Sequence, residues 1–523
     1  MSLSKDPLLA FEGESGHIAP SSSVQPKTIF KIIPAANSHL VPSEQLQPSE
    51  PADAPEEACG VFGIKLKGGS VSHLTFDGLY ALQHRGQESA GIAVSDGDGI
   101  TVVKNMGLVS NVFDERTLLA LPGEMAIGHT RYSTTGASTW RNAQPVFRAI
   151  GEAGFALGHN GNLTNTAELV EEAGLLPGIA ISDTDVLAEL LSQHYSAEIG
   201  PNTLKDALMI VLPKLKGAFS LVLMDVTNLV AVRDPNGFRP LCLGKLDSGW
   251  VFASESPALD VIGAKFVREL EPGEMVVISG NSDPESYFPF PADRIDPKLC
   301  IFEFVYFARP DSRLLGREVH GTRRRMGQYL AMTAPVEADM VMGVPDSGVP
   351  AAEGYALQAQ IPYGQGLVKN RYIGRTFITP DQTQRANGVR RKLNTLTENI
   401  VGKRLVVVDD SIVRGTTTKA MVKLLREGGA KEIHLRVSSP PYRWSCFYGI
   451  DTPSRPDLLA SYRSIEEIRE YLGVDSIAYL DLEDLRRAID ADYGFCDACL
   501  TGNYPVPVRV EIASSQKLGN TVS

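Results

Sequence analysis

Two adjacent carboxylates, Asp409 and Asp410, end the apolar run 405–408 and lead into Ser411, Arg414, Gly415, Thr416 and Thr417. Val406, Val407 and Val408 read as a buried parallel strand, so the acids stand at a strand's carboxyl end, where open α/β sheets bind their ligands. The turn that follows offers backbone N–H groups and hydroxyls at a helix start, which suits a phosphate. Carboxylates beside a phosphate cradle repel it unless they also hold a cation or ribose hydroxyls. A sugar phosphate with vicinal hydroxyls and a Mg²⁺-bound diphosphate satisfies every one of these groups.

The segment resembles the phosphoribosyl pyrophosphate (PRPP) motif of type I phosphoribosyltransferases. Its form DDSIVRGTT, 409–417, is similar to that of the amidophosphoribosyltransferase family. The resemblance implies that Asp409, Asp410, Ser411, Arg414, Gly415, Thr416 and Thr417 bind PRPP. One Mg²⁺ per subunit would sit on Asp409, Asp410 and Ser347, the last from the PDSG turn of 345–348. The basic stretch 369–394 resembles the family's flexible loop over PRPP, with Lys369, Arg371, Arg390 and Lys392 as diphosphate contacts. Closure of such a loop excludes water that would compete with ammonia at the anomeric carbon.

Upstream, Cys59 opens CGVFGI, and LQHRGQESAGIAV (82–94), GHTRYSTTG (128–136), GHNGNLTN (158–165) and SDTDVL (182–187) follow. Order and spacing resemble the N-terminal-nucleophile (Ntn) glutaminase domain that begins at a catalytic cysteine. That chemistry explains why Cys59 would have to become residue one. A thiol of pKa ~8.5 is mostly protonated at neutral pH, whereas a free α-amine of pKa ~7.7 to 8.0 can accept its proton. Residues 1–58 are therefore expected to be a removed leader, with a start codon nearer Cys59 as the alternative. The resemblance further implies an oxyanion hole from Asn160 and Gly161, and glutamine binding by Arg131 (α-carboxylate), Asp183 (α-ammonium), Thr134 and Arg85, the last in a closing loop. His84, His129 and His159 are expected to be structural, since the α-amine fills the base role.

CDAC, 496–499, has the spacing that lets two thiolates hold one metal or cluster. Cys300 and Cys446 carry no local signal. All four fall where cluster-containing members of the resembled family carry [4Fe-4S] ligands; zinc or free buried thiols are the alternatives. Cys242 remains, as a buried residue.

The elements that must position these groups follow from periodicity. Ala420, Met421, Leu424 and Leu425 give the helix after the phosphate turn a buried stripe, ended at Gly428 and Gly429. The aromatic run within 299–312 reads as core, and 464–491 as helices packed on that core. Pro, Gly, Ser and Asp concentrate over 272–297, which puts a junction near Asp296. The expected organisation is a leader over 1–58, disordered apart from the apolar patch 28–34. An α+β Ntn glutaminase domain of αββα type over 59–295 follows, then an α/β type I phosphoribosyltransferase domain with a mainly parallel sheet over 296–513, and a disordered tail over 514–523.

At 523 residues, with 43% hydrophobic and 21% charged residues, the chain suits two globular domains. A net charge of −12 argues against general nucleic-acid binding, and no apolar run approaches the roughly 20 residues that span a bilayer. A cytoplasmic protein is expected: no secretory signal is apparent, and six cysteines in so long a chain make no disulfide scaffold. The resemblance adds glutamine and PRPP as substrates, AMP and GMP as inhibitors, and a homotetramer. A PRPP-sensing regulator and another glutamine amidotransferase, such as glucosamine-6-phosphate synthase, are the competing classes. The first would not need the glutaminase set, and the second would lack DDSIVRGTT.

Overall fold

The computed structural model describes residues 30–32, 59–132, 139–150, 153–176, 182–195, 203–370 and 393–508. In the first half, apolar strands form two stacked sheets. The larger runs, in spatial order, Phe30–Ile32, Ile100–Met106, Ser89–Ser95, Met125–Arg131, Gly60–Leu66, Gly249–Ala253, Cys242–Leu246 and Lys265–Glu269. The smaller runs Glu285–Tyr287, Met275–Ser279, Asn228–Arg233, Gly217–Met224, Ala153–Leu163 and Val146–Ile150. Val61 and Ile127 of one sheet meet Val222 and Ala231 of the other in a fully buried layer.

Helix Ser72–Ala81 covers the outer face of the larger sheet, where Phe62, Ile64 and Leu79 pack together. Helices Asp183–His194 and Leu204–Val211 cover the smaller one through Leu187 and Leu208 against Phe155 and Val232. Apolar faces on both sides of each sheet leave this αββα sandwich as the way to bury them. The apolar patch at 28–34 contributes the edge strand Phe30–Ile32, parallel to Ile100–Met106. The rest of 1–58, and the tail beyond 508, lie outside the described residues.

In the second half, Met340–Gly343, Arg404–Asp409, Glu432–Val437 and Ser476–Tyr479 form a parallel sheet in that spatial order. Strand alternation sends Val406 and Val408 to one face, with Leu330 and Tyr355, and Leu405 and Val407 to the other, with Met421 and Ile468. Helices Val319–Thr333 and Val349–Ala359 lie on the first face, Thr416–Glu427 and Ile465–Leu472 on the second.

Two expectations need correction. The buried stripe of helix Thr416–Glu427 is Thr418, Met421, Val422 and Leu425, with Ala420 and Leu424 only half-buried, because the i, i+3, i+4, i+7 row that faces the sheet starts two residues earlier. The stretch 464–491 is not all helix: Gly473, with φ +72°, ends helix Ile465–Leu472, and strand Ser476–Tyr479 follows at the sheet edge. That strand is half-buried throughout, so it carries none of the continuous apolar signature of a central strand.

A buried charge network joins the halves. Glu303, fully buried in the aromatic turn of the second half, accepts from Arg85 Nη2 (2.5 Å) and Nη1 (3.3 Å) and from Arg239 Nη1 (3.4 Å), both arginines of the first half. Arg85 Nε also donates to Glu255, which takes further bonds from His84 (2.7 Å), the Arg309 N–H (2.9 Å) and Ser312 Oγ. Burial opposes the Arg85 charge, but Glu255 and Glu303 outweigh it and hold its pKa above the usual range. Removing one member leaves its partners charged in an interior with part of their pairing lost. Glu303→Ala is therefore expected to destabilise the protein by about 3 to 5 kcal/mol, read as a lowered urea midpoint. Arg469→Ala, which breaks the exposed pair with Glu466, leaves the midpoint in place.

Candidate active site

Cys59 immediately precedes strand Gly60–Leu66, whose Gly60 pairs with Thr130 one residue before the end of Met125–Arg131. The nucleophile candidate and Arg131 thus share one sheet edge. The Cys59 thiol donates to the Tyr132 carbonyl at 3.5 Å. Burial pushes that thiol up to about 12, against the pull of Arg131; Glu88 and Asp183 push it further. Arg131 is itself buried and its Nη1 lies 3.4 Å from Glu88.

Asp183 is the first residue of helix Asp183–His194, where its carboxylate accepts the N–H groups of Leu163 (3.1 Å) and Thr184 (2.8 Å). Strand Ala153–Leu163 carries Asn160 and Gly161. Asn160 is fully buried, and neither its Oδ1 nor its Nδ2 has a hydrogen-bond partner among the described residues. An amide shut away from water without a partner is an expensive arrangement unless a ligand completes it. Gly161 has φ +151°, and a Cβ there would meet the Ala218 carbonyl at 2.0 Å, so no other residue fits. The structure thus brings Cys59, Arg131, Asp183 and the Asn160–Gly161 strand into one neighbourhood. Thr134 lies outside the described residues.

The Arg85 donors are directed to Glu255 and Glu303 in the interior. Each of the three histidines has a partner within the protein. His129 Nε2 donates to the His159 carbonyl (2.9 Å), and burial lowers its pKa to about 3. His159 Nδ1 lies 3.1 Å from Thr184 Oγ1, and His84 pairs with Glu255. Glu88, facing Arg131, was not singled out from the sequence, where it is one acid among several in a motif.

In the second half, strands Met340–Gly343 and Arg404–Asp409 are direct neighbours, so the loops after them meet at one sheet edge. Ser347 and Ser411 both hydrogen-bond the buried Asp410 carboxylate, the latter at 2.6 Å. Burial raises the Asp410 pKa, while Ser347, Ser411 and Arg323 pull against it. Asp409 Oδ1 accepts the Asp410 N–H at 3.0 Å. Gly415, at φ +78°, forms the turn into helix Thr416–Glu427; a Cβ there would meet Leu459 at 2.6 Å. Thr416 and Thr417 are exposed at that helix start.

Lys369 Nζ lies 2.7 Å from Asp346, beside Ser347, while Arg371, Arg390 and Lys392 lie outside the described residues. Among the described residues no three His, Cys, Asp or Glu side chains enclose a single metal ion. The Asp409, Asp410 and Ser347 oxygens are the hard donors that Mg²⁺ accepts together with substrate phosphates. Half-buried Asp451, its pKa raised by desolvation, feels both Arg414 of the phosphate turn and Glu88 beside Arg131, so the two sites share a charged neighbour.

Cys300, Cys446, Cys496 and Cys499 line one cavity, together with Arg239 and Tyr448. A short parallel ladder sets Cys300 opposite Cys496, and helix Ala498–Thr501 brings Cys499 alongside. Burial pushes the Cys300 thiol up to about 12 and raises Cys496 and Cys499 as well. Three buried thiols and the half-buried Cys446 around one cavity are a soft donor set. Cys242 is apart and buried, donating to the Ala253 carbonyl.

A family model of the glutamine amidotransferase domain matches residues 129–261, and one of the phosphoribosyl transferase domain matches 320–439. The amidophosphoribosyltransferase of Mycobacterium leprae is 52% identical over 490 residues, 91% of this chain and 86% of that protein. That of Bacillus subtilis is 45% identical over 460 residues, 86% of this chain and 95% of that one. The solved structure of the B. subtilis glutamine PRPP amidotransferase complexed with ADP and GMP superposes with a TM-score of 0.80 at 44% identity, covering 86% of this chain and 98% of that one. With both halves matched in the same order, the chain belongs to the amidophosphoribosyltransferase family, glutamine-dependent pentosyltransferases of purine biosynthesis.

Proposed function

We propose that Cys59, as a free N-terminal residue, attacks the side-chain amide carbon of glutamine. Its α-amine takes the thiol proton, and the Asn160 amide and Gly161 N–H receive the oxyanion. The C–N bond breaks, ammonia leaves, and water hydrolyses the thioester to glutamate. Arg131 and Asp183 hold the α-carboxylate and α-ammonium. The observation that carries this reading is the unpartnered buried amide of Asn160 in the same neighbourhood as Cys59, Arg131 and Asp183.

Ammonia then reaches the second site inside the protein and attacks the anomeric carbon of PRPP, displacing pyrophosphate to give 5-phosphoribosylamine. Asp409 and Asp410 would hold the ribose hydroxyls and, with Ser347, one Mg²⁺ per subunit. Ser411, Arg414, Gly415, Thr416 and Thr417 cradle the 5-phosphate, and Lys369, Arg371, Arg390 and Lys392 reach the diphosphate. When bound, Mg²⁺ neutralises the diphosphate as it leaves. Because the B. subtilis relative's structure holds ADP and GMP, purine nucleotides such as AMP and GMP are proposed to occupy the phosphoribosyl site and its surroundings. A homotetramer in the cytoplasm is the assembly proposed; no described helix is long and apolar enough to cross a membrane.

Cys300, Cys446, Cys496 and Cys499 are proposed to hold a [4Fe-4S] cluster. Its contribution when bound is to tie the C-terminal segment to the transferase core.

Cys59→Ala is expected to abolish glutamine-dependent phosphoribosylamine synthesis while keeping synthesis from ammonium, and Asp409→Asn to cripple both. Glutamine use by Cys59→Ala protein would refute the nucleophile. A second test follows from the thiol's raised pKa. With residues still attached before Cys59, a thiol at about 12 is ionised to the order of one part in ten thousand at pH 8, so iodoacetamide should label it slowly. Protein beginning at Cys59 should be labelled at least ~100-fold faster, and Edman sequencing of active enzyme should start there. A third concerns the cluster: anaerobically purified protein should be brown and carry about four irons per chain, whereas colourless, zinc-loaded protein would overturn the assignment.

A further inference from the structure

The first half's oxyanion strand is held from outside by the second half. A Cβ at Gly449 would lie 2.7 to 2.9 Å from the C, Cα and O of Gly161, so the two glycines meet backbone to backbone. One residue along the same strand, Asn162 Nδ2 donates to the Phe447 carbonyl at 3.0 Å. The loop making these contacts begins at Cys446, on the thiol-lined cavity, and the Tyr448 N–H donates to the Cys446 sulfur at 3.3 Å. Tyr448 stacks on Phe238 at 4.5 Å, and its carbonyl accepts Arg239 Nη2 at 2.8 Å. The loop is thus fixed at both its root and its middle before it touches Gly161.

We propose that Gly449 is a positioning residue for the glutaminase reaction: the transferase-half loop 446–449 sets the backbone of Gly161, and with it the oxyanion N–H. The proposal rests on the assignment of Asn160 and Gly161 to the oxyanion. Gly449 touches no reacting atom; it acts only through the peptide it presses on. Oxyanion donors must sit within a few tenths of an ångström of the developing charge, so a displaced Gly161 weakens the transition state more than the bound substrate.

Gly449→Ala, which also forces an L side chain to φ +88°, tests this. The turnover number with glutamine should fall on the order of 100-fold, the scale of one lost oxyanion donor, with KM for glutamine changed less than about threefold. Ammonium-dependent synthesis and iodoacetamide labelling of Cys59, which need no oxyanion hole, should stay within about twofold. Asn162→Ala, which keeps the loop glycine and removes the Phe447 bond, should give a smaller loss of the same kind and serves if Gly449→Ala does not fold. Unchanged glutamine turnover in both variants, a loss confined to KM, or a parallel loss with ammonium would each overturn the proposal. Asn160→Ala separates the two levels. If it spares glutamine turnover, the oxyanion assignment falls and the proposal with it; if it abolishes turnover while the loop variants do not, only the role of Gly449 falls.

Discussion

The buried carboxylate of Glu303 fixes how the halves of this protein meet. It stands between Arg85 and Arg239, and Arg85 reaches on to Glu255, so four charged side chains with no solvent contact cross the interface. Such a set stays charged only while every partner is present, because each member left alone would bear the full desolvation penalty. Arg239 also borders the cysteine cavity and bonds the Tyr448 carbonyl, so one guanidinium links the interface, the cavity and the loop against the oxyanion strand. Relative motion of the halves would have to break this network.

Each site sits at a strand end because strand ends release side chains that the sheet itself cannot use. In the second half, parallel strands bring the loops bearing Ser347 and Asp409–Asp410 to the same edge. In the first half, antiparallel neighbours put Cys59 and Arg131 at one end, while the facing sheet supplies Asn160 and Gly161. Neither set needs a long loop to converge.

The sequence was legible where function depends on neighbours in the chain. Val406–Val408 announce a buried strand, DDSIVRGTT its acids, and Gly415 with its neighbours a tight turn into a helix, all within a dozen residues. The ion pairs of Arg85 leave no local signal, because its partners Glu255 and Glu303 are 170 and 218 residues away. Strand Ser476–Tyr479 is hidden in the sequence because every side chain of this edge strand between two helices is only half-buried. Cys496 and Cys499 carry a spacing, whereas Cys300 and Cys446 are grouped with them in the sequence by resemblance alone; in the structure Cys300 pairs opposite Cys496 and Cys446 lines the same cavity. The contact of Gly449 with Gly161 left no mark at all, since two glycines far apart in a chain look like two turns.

That contact also explains why the coupling is built from glycine. Had side chains met at this point, a shift of an ångström in the second half could be absorbed by a change of rotamer, and the oxyanion peptide would stay where it was. With backbone against backbone there is no torsion left to absorb it except those of the main chains. Gly161 is already confined by the Ala218 carbonyl. A peptide held between two backbones reports any displacement of either, so the geometry of the first site follows from the integrity of the second half rather than from its own strands alone.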